Sequence, residues 1–149
     1  MRRREALIAL TLGISLLSCR ETVSTNYASS SEARRAGALE KGWLPNVLPP
    51  SAVDIWERHD IDTNETWGAF RFATSDAAGL LSAVAPVDAS TQTVRDPGDA
   101  PDWPDALRGR LGRDRLDPVG LEVFKSTAQE LYLAVDWKRG IAYFWRPAS

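Results

Sequence analysis

The chain has 149 residues, of which 44% are hydrophobic, 20 are acidic and 18 basic, for a net charge of −2. This supplies enough apolar material for one domain with a sizeable core. The slightly acidic balance, with no basic run or aromatic platform, argues against a nucleic-acid partner. A single cysteine and a single histidine exclude a disulfide scaffold and the usual zinc sites built from those residue types.

The chain opens with Arg2, Arg3 and Arg4, and after Glu5 an uncharged, mostly apolar run extends from Ala6 to Leu17. A basic head, a short greasy core and a small boundary residue are the parts of a secretory signal. The run has 12 residues, whereas a spanning helix needs about 20. Residues 1–18 are therefore expected to be a signal peptide and not a membrane-crossing anchor. The boundary Leu16-Leu17-Ser18-Cys19 resembles the lipobox of bacterial lipoproteins, with an aliphatic residue, a small one and then the obligatory cysteine. The resemblance implies cleavage between Ser18 and Cys19, palmitate-type acyl chains on Cys19, and a mature protein anchored to a membrane of the bacterial cell envelope, outside the cytoplasm. Two or more acyl chains anchor stably where one holds only marginally. A lone cysteine is more ordinarily a buried apolar residue, but the end of a leader is a poor place for one.

Residues 20–30 are polar and small, and read as a flexible tether. Ser31 is placed to cap a short helix through Ala33, Ala36 and Leu39, ended by Gly42. Residues 19–41 are thus expected to hold the lipidated cysteine, the tether and a short helix, and 42–149 a single small globular domain. Pro45, Pro49 and Pro50 make the next stretch extended.

Two alternating segments flank the turn signal Asp62-Thr63-Asn64. With paired residue numbers adding to 125, Ile55 faces Phe70 and Glu57 meets Gly68. The same register sets Asp54 against Arg71 and Arg58 against Trp67, an ion pair and a cation–π contact on the opposite face. Helical spacing comes next at Leu80, Leu81 and Val84, stopped by Pro86. A long polar loop covers 87–101, another short helix is expected over 102–112, and 114–120 read as irregular. Residues 121–126 read as a strand, and 130–147 as a hairpin around 136–140. One face of that hairpin carries Leu131, Leu133, Val135, Ile141, Tyr143 and Trp145, the other Tyr132, Ala134, Ala142 and Phe144. The expectation is an α+β fold: a small antiparallel sheet of about five strands, with two or three short helices packed on one face.

His59, Asp60, Asp62, Asn64 and Glu65 form a polar cluster at the first turn. Their spacing matches neither a zinc motif nor a calcium loop, so the plainer reading is that Asp62 and Asn64 hold the turn while His59 pairs with a neighbour. Trp137-Lys138-Arg139 sets an aromatic residue beside two cations at a tight turn, a candidate interface for a membrane surface or an envelope protein. Its structural alternative folds Trp137 back on the hairpin. No nucleophile elbow, phosphate loop or dinucleotide fingerprint is present, and no cofactor or metal is implied. The stretch from Gly42 to Phe72 also resembles small exported bacterial proteins of unassigned role, which implies no activity. The expected function is that of a lipid-anchored envelope accessory or binding protein. The alternative is an envelope hydrolase or metal-dependent enzyme using His59 and nearby carboxylates.

Overall fold

The computed structural model describes residues 21–149; the signal segment, with Ser18 and Cys19, lies outside them. β1 (Thr22–Ser29), α1 (Ser30–Arg35), β2 (Val53–Asp60) and β3 (Thr66–Arg71) form the first part. α2 (Ala77–Ser82), β4 (Val84–Pro86), β5 (Thr93–Val94), β6 (Gly109–Arg110) and α3 (Arg113–Leu116) fill the middle, and β7 (Glu122–Ser126), β8 (Tyr132–Asp136) and β9 (Ile141–Arg146) close the chain. One seven-stranded sheet has the order β1-β2-β3-β9-β8-β7-β4, and β5 pairs with β6 apart from it. Every pairing is antiparallel. The α+β class stands, with more strands than the five expected.

Two of the added strands explain the difference. Residues 22–29 are not a tether but the edge strand β1, in register with β2 from Thr22↔Asp60 to Ser29↔Val53. Composition misled because only Tyr27 of the strand is buried. The rest is held by its ladder to β2, a non-local partner that local polarity does not reveal. Ser29, not Ser31, then caps α1: its hydroxyl accepts from the Glu32 amide at 3.2 Å, and the Glu32 carboxylate accepts from the Ala28 amide at 2.7 Å. β4 falls where the second helix was expected to end, and pairs with β7.

The 125 register holds from Trp56↔Ala69 to His59↔Thr66 and then breaks, so that Val53 faces Arg71. The break is a bulge at which Asp54 adopts a left-handed backbone, φ 50°. It takes Asp54 out of line with Arg71, and the expected ion pair does not form. Arg58 stays opposite Trp67 in the ladder, but in place of a cation–π contact its guanidinium donates to the Ser24 hydroxyl at 2.9 Å, the Pro97 carbonyl at 2.6 Å and Asp99 at 2.8 Å.

Both faces of the sheet are buried, because neighbouring residues of one strand alternate between two apolar clusters. Ile55, Phe70, Leu133, Val135, Ala142 and Phe144 belong to the first cluster, which α1, the 38–52 segment and α2 cover through Ala33, Leu44, Leu48 and Leu80. Trp67, Ala134 and Trp145 belong to the second, which the 87–121 segment covers through Val94, Trp103, Leu107 and Leu116. The helices therefore do not share one face: α3, which carries Leu116, lies on the other side.

The terminal hairpin pairs Leu133↔Phe144 and Val135↔Ala142, which corrects the expected faces. Tyr143 and Trp145 stand with Tyr132 and Ala134, opposite Leu133 and Val135. The four-residue turn 137–140 sets this register, and a one-residue slip exchanges the faces. Gly140, at φ 64°, is required there, since a Cβ would lie 2.3 Å from the Phe72 carbonyl oxygen. The expected helix over 102–112 is instead a 3₁₀ turn, Asp105–Leu107, succeeded by β6; the stretch taken as irregular contains α3 and a second 3₁₀ turn.

Candidate functional site

The polar cluster at the first turn is divided by the fold. The side chain of Asp60, not Asp62 or Asn64, holds the turn, accepting from the amides of Asp62 and Thr63, both at 3.0 Å. Asp62 and Asn64 are not buried, and Asn64 contributes a left-handed backbone, φ 58°. Glu65 accepts from the Thr63 hydroxyl at 3.0 Å and from Arg95. Among the described residues no group of three His, Cys, Asp or Glu side chains is placed to hold a metal ion.

His59 turns to the opposite face of β2 from Asp60. Its Nδ1 lies 2.9 Å from Oε2 of Glu57, the Trp43 ring stacks on it at 4.2 Å, and Lys41 stands 4.7 Å from that ring. Glu57 is fully buried, and its Oε1 has no hydrogen-bond partner. Burial pushes its carboxyl up from the ordinary value, opposed by the hydrogen bond and charge of His59 and by Thr25 across the β1 ladder. The folded state therefore keeps the Glu57 proton to higher pH than the unfolded chain. This group's contribution to stability is present below its ordinary value of 4.5 and is lost as pH rises through the raised folded value. Glu57→Gln is expected to flatten that decline; urea unfolding of both proteins between about pH 4 and 8 checks it. A wild-type stability that instead rises through this interval, with the same slope in the variant, contradicts the assignment.

The Trp137-Lys138-Arg139 tip is also divided. Trp137 packs edge-on against Phe72 and Phe124, with centroids 6.2 and 5.6 Å apart. Lys138 is exposed. The guanidinium of Arg139 stands 3.8 Å from Asp136, whose other oxygen accepts the Arg139 amide at 2.9 Å.

Arg139 stands on a groove of ≈ 490 Å³ on the second face of the sheet, lined by Arg71, Asp102, Trp103, Tyr143 and Asp136 among others. An adjoining recess of ≈ 110 Å³ shares Arg71, Asp102 and Tyr143 with it and adds Asp54 and Trp56. Arg71 comes from the end of β3, Asp54 from the bulge, and Tyr143 from β9. Asp102 precedes Trp103, which is buried and donates its Nε1 hydrogen to the Leu107 carbonyl at 3.3 Å. Trp103 meets Tyr143 edge-on at 5.8 Å and Trp56 at 6.0 Å. Asp102 also has a left-handed backbone, φ 53°. Two of the three non-glycine residues with positive φ among those described, from distant parts of the chain, thus line one recess. Arg71, Asp54 and Asp102 are exposed, and none of the three side chains has an ion pair or hydrogen bond within the described protein. Burial pushes the Tyr143 hydroxyl up, with Arg139 and Arg71 opposing and Asp102 and Asp136 adding.

Sequence reasoning missed this site. Asp tolerates left-handed backbone better than most residues, but nothing local to Asp54 or Asp102 signals that either adopts it.

Residues 21–71 match the family model described as the YbbD head domain. The match covers about a third of the chain, takes in β1, α1, β2 and β3, and ends at Arg71. Over this stretch the chain is similar to that family. No curated protein and no solved structure matches.

Proposed function

We propose that the protein is a lipid-anchored accessory or binding domain of the bacterial cell envelope, working through its surface. The observation that carries the reading is the Leu16-Leu17-Ser18-Cys19 boundary. β1 begins at Thr22, so about 10 Å of chain at most joins Cys19 to a rigid sheet. Acyl chains on Cys19 would hold one corner of that sheet close to the bilayer. At this corner the Ile61 amide donates to the Glu21 carbonyl at 3.1 Å, and the Ile61 side chain is 55% exposed. An enzyme built on His59 draws less support, since His59 is buried, paired with Glu57 and covered by Trp43.

Intact mass of the protein from its native membranes tests the anchor. The expected product lacks residues 1–18 and carries acyl groups on Cys19, and Cys19→Ala is expected to leave the membrane fraction. A mature protein with unmodified Cys19, or one retaining Met1, refutes the reading.

A further inference from the structure

We propose that the recess between the β2 bulge and Asp102 binds a small zwitterion, with its ammonium and carboxylate close together as in a free amino acid or a dipeptide. The recess carries two carboxylates, Asp54 and Asp102, and one guanidinium, Arg71, and folding pairs none of them. A simple anion leaves the two aspartates without a partner and a simple cation leaves Arg71 without one, so only a ligand carrying both signs complements the whole set. Arg71 offers a planar fork suited to a carboxylate, and the aspartates offer acceptors for an ammonium.

The aromatic walls of Tyr143 and Trp56 offer the aliphatic part of such a ligand an apolar surface. At ≈ 110 Å³ the recess suits a ligand of amino-acid size, and the adjoining groove of ≈ 490 Å³ has room for a side chain or a second residue. Left-handed backbone at non-glycine positions clusters at functional sites. Here two such positions, Asp54 and Asp102, converge on the recess. A zwitterion site rests on the binding half of the function proposed for the protein and gives it a ligand class. It does not depend on acylation, which intact mass tests separately.

The test titrates the full chain with alanine, alanylalanine, N-acetylalanine and alaninamide while monitoring the ring signals of Tyr143 and Trp56 by NMR. Alanine or alanylalanine is expected to give saturable shifts, and whichever binds more tightly identifies the free or the peptide source. N-acetylalanine, without the ammonium, and alaninamide, without the carboxylate, should each bind about tenfold more weakly or worse. Arg71→Gln and Asp102→Asn should weaken binding of the zwitterion by a similar factor; Asn tolerates the left-handed backbone, so the second variant keeps the fold. Asp54→Asn serves in its place if Asp102→Asn fails to fold. No saturable shift with either zwitterion, equal binding of the blocked compounds, undiminished binding by the variants, or tighter binding of a neutral sugar at the same signals overturns the proposal.

Discussion

Gly68→Ala is expected to cost about 3 kcal/mol or more, beyond the usual range for one added methyl group. Gly68 is paired with Glu57 on one side and Phe144 on the other, in the middle of the sheet. A Cβ at this position would lie 2.2 Å from Cζ of Phe144 and 2.4 Å from the carbonyl oxygen of Trp56. Phe144 is fully buried within the first cluster, so its ring has no empty space to enter. The Trp56 carbonyl is backbone, and no side-chain rotation relieves that contact. The same missing side chain leaves the room that Phe144 fills, so glycine here is part of the core's packing. Urea unfolding of the variant measures the loss; an alanine tolerated to within about 0.5 kcal/mol would contradict this packing.

Phe70→Ala is expected to destabilise by about 3–5 kcal/mol, the sum of lost apolar burial and the cavity left behind. Phe70 is fully buried, with Phe72 and Phe144 at centroid distances of 6.1 and 6.3 Å. Arg71, the next residue along β3, is exposed on the other face, and Arg71→Ala should leave stability almost unchanged. Chemical unfolding of the two variants reads the strand's orientation directly. A critical Arg71 beside a nearly neutral Phe70 would reverse the faces of β3, and with them the recess.

The candidate site was legible only in fragments. The pairing of Glu57 with Gly68 comes from alternation and one turn signal, and it survives in the structure although neither of the opposite-face contacts expected with it forms. The loss of Asp54 and Arg71 as an ion pair comes from a single bulge, which shifts one strand by one residue without leaving a local mark. His59 reads in the sequence as one member of a polar cluster at the first turn, paired with a neighbour. Its immediate surroundings, Glu57 on its own strand and Trp43 from the proline-rich segment, arise from contacts at two very different sequence separations. The six tryptophans, without a repeat period in the chain, divide in space: Trp67, Trp103 and Trp145, with Trp56 at the edge, build the second cluster, Trp137 closes the first, and Trp43 covers His59.

Alternation of apolar residues, turn chemistry and the prolines determined that this chain builds an antiparallel sheet with short helices. The basic head, the apolar run and Leu16-Leu17-Ser18-Cys19 motivate the expectation of a lipid anchor. These are local patterns, set by backbone preference and by which side chains favour water. The tertiary structure alone decided that residues 22–29 are a strand, that the terminal hairpin's faces are offset by one residue, and that α3 lies across the sheet from α1 and α2. It also brought Asp54, Arg71, Asp102 and Tyr143 to one recess. The physical reason is the same in each case: a ladder partner, a one-residue register and a covering segment are non-local, and their energy depends on residues that meet only when the chain has folded.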